Sequence, residues 1–154
     1  MRRARQRGMT LVELIVAFTI LMLLSTMAVP LARYQVQRNR ERDLDRALTE
    51  IRKGIDKFKD DMDAGKIGPP KIDSDNYPET LEQLVEGVKA MGAVDKKIKY
   101  LRRIPKDPMT NSKDWGMRST RDDPKALAWG GQNVFDVYTK SSDKAKDGTP
   151  YSEW

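Results

Sequence analysis

The 154-residue chain contains no cysteine and no histidine, and only 7% of its residues are aromatic. Each absence removes a chemistry. Without thiols there is no disulfide framework, and with imidazole missing too there is no zinc site of the Cys/His kind, no Ser-His-Asp or Cys-His nucleophile and no imidazole acid or base. Enzymes built on carboxylates or lysines survive that exclusion. The acid pairs Asp60-Asp61 and Asp122-Asp123 have no second motif framing a pocket around them, so they read as helix-end and turn acids and the chain is expected not to be an enzyme.

Charge is missing from one long stretch. Between Met9 and Ala32 the sole ionisable side chain is Glu13, in a chain that is otherwise 34% charged with a mean hydropathy of -0.71. The net charge is +6, of which Arg2, Arg3, Arg5 and Arg7 supply four, leaving +2 for the rest. The basic excess is therefore a property of a short leader, and no specific nucleic-acid partner is expected.

The run from Leu14 to Ala32 is long enough to cross a bilayer, which takes about 20 residues, and it is longer than the apolar core of a secretory signal. Arginines flank it on both sides. Those before it are undiluted by acids, whereas Arg33, Arg38, Arg40, Arg42 and Arg46 are interleaved with Glu41, Asp43 and Asp45, which favours a cytoplasmic N-terminus. Glu13 is costly in such a helix, by about 2.5–3.5 kcal/mol at a central position, so it either lies at the interface or has a partner.

The string Gly8-Met9-Thr10-Leu11-Val12-Glu13-Leu14, behind an Arg-rich leader and ahead of an apolar helix, resembles the class III signal of type IV pilins and type II secretion pseudopilins. The resemblance implies cleavage between Gly8 and Met9 by prepilin peptidase, followed by methylation of the Met9 amine; the family more often has Phe at that position. It implies that Glu13, fifth residue of the mature chain, meets the terminal amine of a neighbouring subunit during self-assembly into a helical filament. An ion pair in a water-poor core sets register, because an unmatched charge there is costly. Pro30 matches the proline that pilin-like helices carry at this distance, and its missing N–H is expected to kink or loosen the helix between Thr26 and Pro30.

Beyond Ala32 the helical period persists. Leu44, Leu48, Ile51, Ile55, Phe58 and Met62 step by three and four, which predicts one helix from Thr10 to Met62, about 80 Å long, with an apolar stripe laid against a small core. Gly65, Gly68, Pro69 and Pro70 end it. Thr80 with Gln83 predicts a second helix opened by a capping box and continued past Gly87 through Val88 and Met91. Strands are predicted at 115–120, 126–129 and 134–139. The expected fold is α+β, a long N-terminal helix packed on a head with a second helix and an antiparallel sheet. The expected divisions are a leader at 1–8, a membrane and filament-core helix at 9–32, its periplasmic continuation at 33–64 and a globular head at 65–154.

Tyr77-Pro78-Glu79-Thr80-Leu81 and the segment from Tyr100 to Pro108 are similar to segments of the major, G-type pseudopilins, although residues 109–114 intervene before Trp115-Gly116. That resemblance implies an inner-membrane protein with a periplasmic head that works with an assembly platform and minor pseudopilins. The competing reading is a type IV pilin for adhesion, motility or DNA uptake; the lack of cysteine favours the pseudopilin, because many such pilins carry a C-terminal disulfide. G-type pseudopilins also hold calcium in a C-terminal loop, which points to Asp143 and Asp147 as ligands. Lys144 and Lys146 depart from an acid-rich loop, and an ordinary turn competes. The basic stretch from Lys96 to Lys106 reads as solvated surface, with pairing to the Asp60, Asp61, Asp63 region of a neighbouring subunit as a second possibility.

Overall fold

The computed structural model describes residues 8–69, 71–92 and 96–154, with the side chains of residues 27–29 and 31 outside the description. Most of the leader, residues 1–7, lies outside it, as does Pro70. The fold is α+β: helix α1 (Leu11–Asp63), helix α2 (Leu81–Glu86), strands β1 (Val88–Lys89), β2 (Lys97–Ile98), β3 (Gly116–Arg118) and β4 (Asp136–Tyr138), and a closing 3-10 turn at Tyr151–Glu153. The described residues divide into two compact units that part between Asn39 and Arg40.

In the first unit, the apolar side chains from Met9 to Leu24 are all exposed, Leu11 by 76% and Phe18 by 65% among them. The few polar side chains of this stretch are turned inward onto their own backbone. Thr19 Oγ1 donates to the carbonyls of Ile15 and Val16, Ser25 Oγ to Leu21 and Thr26 Oγ1 to Leu23. Such back-bonding pairs the hydroxyls within the helix itself and leaves a largely hydrocarbon surface between Leu14 and Leu24. The helical assignment runs through Pro30 unbroken, although the proline deprives the Thr26 carbonyl of its usual donor.

In the second unit the predicted stripe is the core. Leu44, Leu48, Ile51, Ile55 and Phe58 are buried to within 2% of complete, with Met62 half-buried. They pack with Leu81, Leu84, Leu101, Trp115, Val134 and Val137. Because the stripe uses only one side of α1, charged residues occupy the other sides without penalty. The helix ends in a Schellman motif: Gly65 adopts φ +64, its N–H donates to the Met62 carbonyl, and the Lys66 N–H donates to that of Asp61. A residue without Cβ is favoured in that left-handed conformation.

Helix α2 is shorter than its apolar spacing suggests. Gly87, at φ +82, turns the chain, and an added Cβ there would lie 2.7 Å from the Ile98 carbonyl oxygen. Val88 and Lys89 then pair antiparallel with Ile98 and Lys97, so Val88 belongs to a strand. The predicted capping box is also altered: Thr80 makes no side-chain cap, and Gln83 Oε1 instead accepts the Glu79 N–H at 2.9 Å.

Two of the three predicted strands form, in shortened versions. Gly116, Met117 and Arg118 pair antiparallel with Tyr138, Val137 and Asp136. Residues 126–129 do not form a strand; Ala126 closes a turn onto Asp123 and its carbonyl accepts from Arg118 Nε. Among the described residues the strands form two separate two-stranded sheets, β1-β2 and β3-β4.

Candidate functional site

Gly8 is exposed, and a Cβ built on it would meet nothing within 4 Å. Nothing among the described residues around it demands glycine. Met9, next along, is 68% exposed. The bond between them is open to an external agent.

Immediately beyond this bond the chain forms a reciprocal cap. Thr10 precedes the first helical residue, and its Oγ1 accepts the Glu13 N–H at 3.3 Å while Glu13 Oε2 accepts the Thr10 N–H at 3.5 Å. This is the Thr-x-x-Glu capping box, which satisfies two of the N–H groups that every helix start leaves open. Its carboxylate also faces the positive end of the helix dipole. Both bonds are long, so the carboxylate is held loosely by its own chain. Glu13 is thus an N-terminal acid of α1 rather than an isolated charge in mid-helix, and the donor it holds is one residue from the Met9 nitrogen.

The C-terminal acids sit on a tight turn. Asp147 Oδ1 accepts the Thr149 N–H at 2.9 Å, and this backbone bond holds its carboxyl below the ordinary value of 3.8. Asp143 is exposed; its carbonyl accepts the Tyr151 N–H and its N–H donates to Ser141 Oγ. Lys144 bridges to Pro150 across the turn. Among the described residues no group of three or more His, Cys, Asp or Glu gathers to hold a metal. Calcium takes six to eight oxygens, so Asp143 and Asp147 alone do not make a cage, and an ion here would draw most of its ligands from main-chain carbonyls.

Asp61, Asp63 and Asp122 are engaged in the fold. Asp61, with its side chain 6% exposed, accepts from Lys57 Nζ at 3.0 Å and Lys66 Nζ at 3.2 Å, and its other oxygen accepts the Tyr100 hydroxyl at 3.3 Å. The hydrogen bond from Lys57 foremost, with Lys66 adding to it, holds the carboxyl below its ordinary range against the opposing effect of burial. Burial, with Asp61 as a further cause, pushes the Tyr100 phenol up. Asp63 accepts from Lys59 at 2.8 Å and Asn76 at 2.7 Å. Asp122 Oδ2 receives the backbone N–H groups of Ser119 and Gly130, which lower its pKa. Asp61 and Asp63 are thus already paired within the chain.

Two polar centres of the second unit, one fully buried and one partly exposed, are not foreseen from the sequence. Asp107, fully buried, accepts from the Met109 N–H, Thr110 Oγ1 and Thr139 Oγ1, fastening the loop before β3 to the end of β4. Asp136 lies between Arg52 at 2.7 Å and Arg118 at 3.4 Å. The Asp-Pro step at 107–108 marks a turn in the sequence, but its bond to Thr139 spans 32 residues and has no local signal.

Among the described residues no helix is long and apolar enough to cross a membrane; the predicted span falls partly on side chains 27–29 and 31, outside the description. Comparison with curated proteins and with solved structures finds no match to the chain. Comparison with protein families matches residues 3–29 to the prokaryotic N-terminal methylation motif, typical of type IV pilin-like proteins, and Gly8, Met9 and Glu13 lie within the matched segment.

Proposed function

We propose that the chain is a pseudopilin, a structural filament subunit of a type II secretion system. In this reading prepilin peptidase cleaves between Gly8 and Met9 and the new amine is methylated. The apolar helix from about Met9 to Ala32 holds the subunit in the inner membrane with its N-terminus in the cytoplasm and the C-terminal unit in the periplasm. Assembly platform and minor pseudopilins then act on it as it enters a filament. The match of residues 3–29 to the methylation motif carries the reading. The exposed hydrocarbon surface of the first unit supports it, since such a surface needs cover from lipid or from neighbouring helices.

Glu13 supplies the assembly step. In the single chain it rests on the Thr10 N–H; a neighbour's charged Met9 amine is a stronger partner, because a charge-assisted bond exceeds one to a neutral amide. Cells that assemble the wild-type chain are expected to make no ordered filament from Glu13→Ala, while still cleaving the leader and keeping the protein in the membrane. Glu13→Asp, whose shorter arm retains the charge, is expected to restore part of the yield. Normal filaments from Glu13→Ala would overturn the ion-pair step. Zero cysteine favours the secretion pseudopilin over a surface pilin; long surface fibres at native expression would favour the latter.

A further inference from the structure

The first unit ends in cations with no acid to meet them. Arg33 and Arg38 are exposed, and neither forms a salt bridge or a side-chain hydrogen bond among the described residues. Glu13 is the one acid between Met9 and Asn39, and it lies about 30 Å along the helix from Arg33. The next acid in the chain, Glu41, already accepts the Tyr151 hydroxyl at 2.8 Å.

Between the two arginines stand Tyr34, Gln35, Val36 and Gln37, none of them charged. Tyr34 is 54% and Val36 52% exposed, so the segment keeps a partly apolar surface while adding cations and amides. Such a mixture suits the level at which a helix leaves hydrocarbon, where a tyrosine ring sits at the interface and an arginine stem lies along the acyl boundary with its guanidinium beyond. The dimensions agree. The uncharged run from Leu14 to Ala32 covers about 28 Å of helix against a hydrocarbon core of about 30 Å. Arg33 to Arg38 covers about 7.5 Å, the depth of one headgroup layer.

We infer that Arg33 and Arg38 bind the phosphate groups of anionic phospholipid in the leaflet where the apolar helix ends, an inference that rests on the membrane reading above. Two arguments favour lipid over a protein. Five positions separate the arginines, so they stand about 140° apart around α1. A partner docked on one face meets one of them, whereas headgroups surround the helix and meet both. Charge complementarity is the second argument. A guanidinium takes phosphate oxygens through paired N–H groups, and an anionic lipid presents that phosphate without the balancing ammonium of a zwitterionic one. The pair then sets the depth of the helix, and a subunit leaving the bilayer has to give up both contacts.

The absence of native cysteine allows a single reporter beside the pair. The full-length chain carrying a dye on Ala32→Cys is reconstituted at low density in phosphatidylcholine vesicles that contain nitroxide-labelled phosphatidylglycerol or nitroxide-labelled phosphatidylcholine. Short-range quenching reads the lipid shell of that leaflet alone, apart from Arg2, Arg3, Arg5 and Arg7 at the other end. Phosphatidylglycerol should be enriched about fivefold for each arginine engaged, and the enrichment should fall at high salt. Arg33→Gln with Arg38→Gln should bring the two lipids to equal quenching, while Arg33→Lys with Arg38→Lys, which keeps the charge, should retain part of the difference. Equal quenching in the otherwise unchanged chain, or enrichment that survives the glutamine pair, would overturn the inference. Enrichment abolished by millimolar inorganic phosphate at constant ionic strength would assign the arginines to free anions and overturn it too. Equal quenching together with filament yield lost in the glutamine pair would assign them to acids of a neighbouring copy. Failure of the chain to enter the vesicles at all would instead count against the membrane reading.

Discussion

Arg52 of α1 and Asp136 of β4 stand 2.7 Å apart, and the same guanidinium continues to the carbonyls of Val137 and Trp154. One side chain thus ties the helix to a strand and to the end of the chain. Asp136 also meets Arg118, whose side chain is only 6% exposed.

Removing Asp136 would leave two guanidinium groups facing each other with no acid between them. We expect Asp136→Asn to destabilise the C-terminal unit by about 2–4 kcal/mol, less than a fully buried pair because Asp136 keeps some exposure to water. Urea unfolding of residues 40–154 checks this: the midpoint should fall while the slope, which reports exposed surface, stays constant. Arg52→Lys should recover little, because an ammonium cannot reach a carboxylate and two carbonyls in a planar fork.

Acid dependence should centre on Asp61. Its folded pKa is depressed below 3.8, first by the bond from Lys57, so the stability it contributes is present above the unfolded value and is lost as pH falls through the lower folded value. Stability curves of wild type and Asp61→Asn should therefore run parallel above about pH 5 and converge below the ordinary carboxylate range. On the alkaline side the Tyr100 phenol is raised above 10.0 by burial. Its contribution is complete below pH 10 and declines above it, and Tyr100→Phe should flatten that decline.

Calcium at the C-terminal turn is a separate proposal. Asp147 already closes the turn through Thr149, so Asp147→Ala should lower the melting temperature in chelator alone. A metal adds to that: calcium should raise the wild-type melting temperature by mass action and magnesium should substitute poorly. If Asp147→Ala loses the same amount in calcium as in chelator, no ion is held there.

What was legible in the sequence is what repeats locally. The Leu44-to-Met62 stripe is visible because burial on one side of a helix recurs every three or four residues, and the stop at Gly65 because a left-handed cap favours glycine. Val88 misled because its position fits a helix face and a strand equally well; Gly87's close approach to Ile98 decided between them. The Thr10-x-x-Glu13 box was present in the string, but a lone acid beside an apolar run draws attention to the membrane rather than to the helix start. Arg52 with Asp136, 84 residues apart, and Asp107 with Thr139 carry no periodic signal at all.

The central claim is that the chain is cut between Gly8 and Met9. The most direct test is the intact mass of the protein purified from native membranes of peptidase-positive cells. The account predicts a chain beginning at Met9, lacking residues 1–8 and carrying one added methyl group on its amine, with the full-length species accumulating when the peptidase is deleted. A chain that still begins at Met1 in peptidase-positive cells would contradict it.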